Sequence, residues 1–103
     1  MNAATHKIAQ LLMNNLCKCL DIKETKVCGK TRERDAEIAR TIFSYQAHIW
    51  GMTYTDIGNI INRTHATVIY HVRAFDEKYH FDKYFQRSAD AVMNHKLLKN
   101  SLQ

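Results

Sequence analysis

The residues most able to carry out chemistry are six histidines and three cysteines. No His-Glu-x-x-His segment is present, and His65 and His71 are six positions apart, which places them on different faces of a helix. Cys17, Cys19 and Cys28 lack zinc-finger spacing, and an odd number of cysteines cannot pair completely. No nucleophile is paired with a base, and no two carboxylates form an acid–base pair. We therefore expect neither an enzyme nor a metal site.

A short stretch imitates a phosphate-binding loop. Gly29, Lys30 and Thr31 match the last part of the Gly-x-x-x-x-Gly-Lys-Ser/Thr motif, but the position of its first glycine holds Glu24. The motif also follows a buried strand, and the residues before Gly29 are not predicted to form one. We expect no nucleotide and no other cofactor.

The clearest functional pattern lies between residues 53 and 73. A short helix with an apolar side is predicted for residues 53–61, followed by a tight turn at Asn62 and Arg63 and a helix with Val68 and Val72 on its inner side. Two helices joined in this way are typical of a helix-turn-helix. In such proteins the second helix lies in the major groove of DNA, and its first residues contact base edges. The segment predicts sequence-specific DNA binding.

Two other interpretations of the same pattern stay open. The helix pair is compatible with a hairpin that completes a core, or with a docking module, such as an anti-initiator or adaptor, that binds a replication or transcription protein. The charge favours DNA, because 15 lysines and arginines against 10 acidic residues give a net charge of +5. The salt dependence of affinity distinguishes DNA from a protein partner. For DNA, the logarithm of the binding constant falls with the logarithm of the salt concentration, with a slope of about −0.9 for each phosphate contact.

The helices that position this segment can be predicted from apolar spacing and capping residues. The chain has no proline and three glycines, so long helices joined by short turns are expected. Helices are predicted to begin near Thr5, Asp35, Thr53 and Thr64, and residues 21–29 are predicted to form a connector. The inner stripe of the second helix is expected to contain Ile38, Ile42, Tyr45 and Ile49, with Trp50 beside it.

The segment resembles the C-terminal DNA-binding domain, domain IV, of the bacterial replication initiator DnaA. Residues 54–58 read Tyr-Thr-Asp-Ile-Gly, where the family has a run like Leu-Pro-Glu-Ile-Gly. Residues 63–71 read Arg-Thr-His-Ala-Thr-Val-Ile-Tyr-His, where the family has Arg-Asp-His-Thr-Thr-Val-Leu-His-Ala. The similarity extends over residues 5–79, with residues 30–34 in the position of the family's basic loop.

The resemblance implies an all-α single domain over residues 1–103, with four to five helices and a Trp-repressor-like helix-turn-helix. It also implies double-stranded DNA as the partner, with contacts from the recognition helix to the major groove and from the basic loop to the minor groove or phosphates. The residues expected to bind DNA are Lys30, Arg32, Arg34, Thr53, Thr55, Arg63, Thr64, His65, Ala66, Thr67, Tyr70, His71 and Arg73.

Two departures from the family concern base-reading positions. Thr64 replaces the family's aspartate and Ala66 replaces its first threonine, so we expect a different target sequence. The chain has no room for an ATPase module, and we expect a stand-alone domain without it. The expected role is either transcription regulation or replication control in a phage, plasmid or other mobile element, and the sequence does not choose between them.

The end of the chain, residues 80–103, is expected to form a helical extension that begins after Asp82. An aromatic cluster there either packs back over the core, which we favour, or belongs to a dimerisation helix of a homodimer. This cluster comprises Tyr79, Phe81, Tyr84 and Phe85. The sequence contains no signal-peptide pattern and no apolar stretch of about 18 residues, so we expect a cytoplasmic protein with no membrane contact.

Overall fold

The computed structural model describes residues 1–94, which form six α-helices with no strand among them. The helices are α1 (Ala3–Leu20), α2 (Glu24–Val27), α3 (Arg34–Ile49), α4 (Tyr54–Ile61), α5 (His65–Phe81) and α6 (Lys83–Met93). The expectation of an all-α fold is confirmed. The predicted connector contains the one-turn helix α2, which is why the helices outnumber the expected four to five. Within these residues no helix is both long and apolar enough to cross a membrane.

Helix α3 is the centre of the fold, because it packs against each of the other five helices. Five consecutive residues in its middle, residues 40–44, are all buried. A helix at a protein surface buries one stripe, whereas α3 is enclosed by its neighbours over its central turns. Ala39, Ile42 and Phe43 have no solvent exposure at all.

Short polar side chains begin four of these helices. The predicted caps Thr53 and Thr64 are confirmed, since each side chain accepts a backbone N–H three residues later. Asp82 caps α6 in the same way. Each of these contacts satisfies one of the N–H groups that a helix leaves unpaired at its first turn.

At two helix starts the predicted cap residues, Thr5 and Asp35, were wrong. Helix α1 begins at Ala3 instead of near Thr5, because the Asn2 side chain accepts the Thr5 N–H at 2.8 Å and is itself the cap. Helix α3 begins at Arg34 with Glu33 in the cap position, so Asp35 lies inside the first turn. A carboxylate there is still favourable, because the N-terminal end of a helix is positive.

The end of α3 also differs from the prediction. Ile49 and Trp50 were expected to face the core, but they are 59% and 41% exposed. Gly51 has a φ of 91°, and Met52 donates its backbone N–H to the Ala47 carbonyl. This Schellman geometry reverses the chain after the last turn, and Met52 belongs to the buried core while Ile49 does not.

The extension packs onto its own chain as far as it is described. Phe85, Ala89 and Val92 on α6 are fully buried, and the Phe85 ring lies edge-on to Phe75 with 5.3 Å between centroids. The favoured interpretation, in which the last helix folds back over the core, is confirmed for residues 83–93 and for Phe85 and Tyr79. It was wrong for Phe81 and Tyr84, which are 85% and 44% exposed. Residues 95–103 lie outside the described part of the chain, and a homodimer through this region stays a prediction.

A histidine connects α5 to the middle of α3. His71 is 2% exposed, and its Nδ1 lies 2.9 Å from the Thr41 hydroxyl. That hydroxyl also lies 3.0 Å from the Glu37 carbonyl. A hydroxyl carries one proton, so both contacts form together when His71 Nδ1 donates to Thr41 and Thr41 donates to Glu37. Burial lowers the pKa of His71 from its ordinary 6.5 to about 4.

We expect this histidine to make stability depend on pH. Because its pKa is lower in the folded state, the unfolded chain takes up the proton first, and stability is complete above about pH 6.5 and falls toward pH 4. At about 1.4 kcal/mol per pKa unit, the free energy of unfolding should drop by roughly 2–3 kcal/mol over that range, measured by urea denaturation. His71→Gln cannot titrate and should lack this component. Identical pH profiles for the two proteins would contradict the assignment.

Candidate nucleic-acid interface

Helices α4 and α5 meet at a tight turn, which forms the predicted helix-turn-helix. Asn62 has a left-handed backbone with a φ of 59°, and Arg63 donates its backbone N–H to the Gly58 carbonyl at 2.9 Å. A Cβ at Gly58 would lie 2.4 Å from the Arg63 carbonyl oxygen, so this approach requires glycine. Ile61 and Val68 are fully buried on either side of the turn.

The first turn of α5 is the most open part of this motif. His65 and Ala66 are exposed, and Thr67 is half-buried. The Thr64 hydroxyl accepts the Thr67 N–H and also lies 3.2 Å from the Thr67 hydroxyl. These contacts hold Thr64 and Thr67 at the helix start, and they leave His65 and Ala66 free to meet a ligand at the positive end of the helix.

The exposed face continues along α5 through Tyr70 and Arg73. They follow Ala66 by four and seven positions, which places all three on one side of the helix. Tyr70 is 60% exposed, and the Lys78 ammonium lies 5.9 Å from the centre of its ring. Together with neighbouring residues they line an open groove of about 430 Å³. One cation, Arg73, one carboxylate, Glu77, and the Tyr70 ring therefore line this groove.

The expected contact of His71 with DNA was wrong. This residue is buried and hydrogen-bonded to Thr41 on α3. It follows Tyr70 by one position, which turns it about 100° around the helix and from the outer face to the inner one. Its role is to hold α5 against α3.

The start of α4 keeps two further candidates at the surface. Thr53 and Thr55 are both exposed. The Thr53 hydroxyl accepts the Asp56 N–H at 3.1 Å and thereby caps α4. Thr55 follows Thr53 by two positions and lies in the first turn of the helix.

The basic loop is joined to the helix-turn-helix by hydrogen bonding at the carbonyl of Gly29, the residue that precedes the loop. The Gly29 carbonyl accepts from Arg63 Nη2 at 2.8 Å and from Arg40 Nη2 at 3.0 Å. Lys30 follows directly, and both Lys30 and Arg32 are exposed. Within the described residues neither of these two side chains forms an ion pair or a hydrogen bond. Their charges are therefore available to a ligand.

Arg40 is a residue of this site that the sequence reasoning missed. It is completely buried, and its Nε donates to the Val27 carbonyl at 2.7 Å. Its two terminal nitrogens donate to the Lys26 and Gly29 carbonyls and to the Glu37 carboxylate. A buried guanidinium with all these acceptors fixes the path of the chain from α2 into the basic loop.

The missed signal was the position of this arginine in the sequence. Residues 38–44 read Ile-Ala-Arg-Thr-Ile-Phe-Ser, and arginine is the one charged residue in that run. A charged residue among apolar neighbours is buried only when its donors are satisfied, so such a run indicates a structural arginine.

Arg34, which was expected to act with Lys30 and Arg32, is the first residue of α3 and contacts residues at the start of α6. Its guanidinium lies 4.1 Å from the centre of the Tyr84 ring and 3.7 Å from an Asp82 carboxylate oxygen. Asp82 follows the C-terminal end of α5, about 25 Å along that helix from its first turn. Arg34 therefore links α3 to the start of α6, while its side chain stays 63% exposed, and its contact with DNA stays a prediction.

The cysteines are packing residues in this structure. Cys28 Sγ donates to the Ile60 carbonyl at 3.2 Å, which ties the end of α2 to α4. Burial raises the pKa of Cys28, and it raises the pKa of Cys17 to about 11. The thiols stay protonated near neutral pH. Among residues 1–94 no three His, Cys, Asp or Glu side chains are grouped to hold a metal ion.

Comparison with known proteins identifies the matching family. The family model for the bacterial DnaA protein helix-turn-helix matches residues 9–74, which is more than half of this chain. The match spans α1 to the middle of α5 and includes both the basic loop and the turn. A search of the curated proteins found no match.

We expect Arg40→Met to destabilise the protein, because three carbonyls and the Glu37 carboxylate would lose their donors. The free energy of unfolding should fall by about 3–5 kcal/mol, measured by urea denaturation at pH 7. Arg87→Met removes an exposed arginine of α6 and should change it by no more than about 0.5 kcal/mol. Equal stability of the two variants would contradict the structural role of Arg40.

Proposed function

This chain belongs to the family of bacterial DnaA helix-turn-helix domains, and we propose that it binds double-stranded DNA in a sequence-specific manner. Helix α5 would lie in the major groove as the recognition helix. The observation that carries the proposal is the exposed first turn of α5. The tight turn just before it is joined to the basic loop by the hydrogen bond from Arg63 to the Gly29 carbonyl. Base-reading and phosphate-binding groups are thus adjacent.

We assign base contacts to His65, Ala66 and Thr67. The Ala66 methyl suits the methyl group of thymine, and the His65 imidazole suits an acceptor or donor on a base edge. Thr64 stands where relatives carry an aspartate, and its hydroxyl is engaged in capping α5. A target sequence that differs from the family's usual one follows from these side chains.

We assign phosphate contacts to Lys30 and Arg32 in the loop, and to Tyr70 and Arg73 farther along α5. Thr53 and Thr55 belong to the first turn of α4, where free N–H groups and the helix dipole favour a phosphate. Such contacts supply most of the affinity and fix the register on the duplex, whereas the first turn of α5 supplies the sequence preference. Regulation of transcription and control of replication both need a protein that marks chosen DNA sites in this way.

In vitro selection from random duplex DNA, followed by titration at two salt concentrations, tests the proposal. We expect an enriched motif, and an affinity that falls with salt with a slope of about −0.9 for each phosphate contact. A palindromic motif would support a dimer. Absence of binding at low salt would overturn the proposal and favour a protein partner.

We expect His65→Ala to reduce the preference for the selected motif. Loss of one base contact should weaken binding to that motif by about 5- to 150-fold, which corresponds to about 1–3 kcal/mol, and should change binding to a scrambled duplex far less. His80→Ala is the matched control, because His80 is an exposed histidine near the other end of α5. Fluorescence anisotropy with both duplexes measures the ratio. An unchanged ratio would remove His65 from the base-reading set.

A further inference from the structure

We propose that Arg63 is a positioning residue, which fixes the basic loop against the start of the recognition helix and does not itself read a base. The family pattern alone would place this arginine among the base or backbone contacts, since it opens the Arg-x-His-x-Thr-Val run. The inference deepens the DNA binding proposed above and rests on it.

Three backbone carbonyls accept hydrogen bonds from the Arg63 guanidinium. Nη2 donates to the Gly29 carbonyl at 2.8 Å, across 34 positions of sequence. Nη1 lies 3.0 Å from the Asn62 carbonyl and 3.4 Å from the Ile61 carbonyl. The backbone of Arg63 is fixed as well, because its N–H donates to Gly58. A planar guanidinium that spans three carbonyls is held in one orientation.

The loop end of this link is equally constrained. The Gly29 carbonyl also accepts from the buried Arg40. A Cβ at Gly29 would lie 2.7 Å from the Thr25 carbonyl oxygen, so this position requires glycine. Cys28, the residue before Gly29, donates its thiol to the Ile60 carbonyl. Arg40 therefore attaches the loop to α3, and Arg63 attaches it to the turn before α5.

This link sets the spacing between two kinds of DNA contact. Lys30 follows Gly29 directly, and His65 follows Arg63 by two positions. With Arg63 in place, the loop cations and the first turn of α5 approach a duplex as one rigid surface, so less conformational entropy is lost on binding. Without it, the loop keeps its attachment to α3 but loses its register with α5.

The test combines Arg63→Ala with the double variant Lys30→Ala, Arg32→Ala in the full chain. The selected duplex and a scrambled duplex of equal length are titrated from low to moderate salt. Arg87→Ala serves as the control, because it removes the same charge from an exposed position on α6. Hydrogen exchange of the hydrogen-bonded amides of Cys28, Gly29 and Glu33, which are called the loop amides below, reports the loop in the free proteins without DNA.

We expect Arg63→Ala to weaken binding to both duplexes by a similar factor, about tenfold, and to keep the ratio between them within about twofold. The salt slope should fall by nearly as much as in the loop double variant, which loses about two phosphate contacts. Adding Arg63→Ala to that double variant should change Kd by less than about twofold, since coupled residues are not additive. Exchange of the loop amides should accelerate while exchange in α1 stays unchanged.

A different result identifies a base contact. If Arg63→Ala reduces the ratio between the duplexes strongly and adds fully to the loop double variant, Arg63 reads DNA and the positioning role is overturned. Unchanged loop exchange overturns it as well. If Arg63→Ala loses its helical circular dichroism, Arg63→Lys replaces it in the test. This variant must then show the binding and exchange changes expected for Arg63→Ala, because one ammonium cannot span three carbonyls. If the wild type binds no duplex at low salt, the proposed function fails, and the exchange data alone decide whether Arg63 holds the loop.

Discussion

A guanidinium taken out of water must find acceptors for its donors, and the chain around Arg40 is arranged to supply them. The carbonyls of Lys26, Val27 and Gly29 come from the end of α2, and the Glu37 carboxylate comes from the preceding turn of α3. Because an unpaired buried charge costs several kcal/mol, these contacts stabilise the observed path of the chain between α2 and α3. The short helix α2 and the position of the basic loop both follow from that requirement.

Hydrogen bonds to backbone carbonyls also connect the buried Arg40 to the surface of the helix-turn-helix. Gly29 is held by Arg40 from the side of α3, and its carbonyl is shared with the turn that precedes α5. His71 holds α5 to α3 from within the core, and the N-cap threonines fix where α4 and α5 begin. Helix α5 is consequently fixed at its first turn and along the side that faces α3. Its outer face can therefore bind a rigid partner with little reorganisation.

Much of this could be predicted from the sequence, since the signals are local. The N-caps at Thr53 and Thr64 and the apolar spacing of α4 and α5 depend on residues within one or two turns. Two features that escaped prediction depend on distant residues, because the burial of His71 requires Thr41 on another helix and Arg34 is engaged by residues at the start of α6. The exposure of Ile49 has a local cause, the chain reversal at Gly51. No periodic pattern carries that information.

The exposed pair at the start of α5 has a consequence for how such domains diverge. His65 and Ala66 are accessible, while capping, turn formation and core packing are performed by their neighbours Thr64, Gly58 and Val68. Substitutions at the two exposed positions are therefore nearly neutral for folding, in contrast to those next to them. Under the proposed function, the same two positions contact bases, so single substitutions there would change the preferred target while the fold keeps its stability.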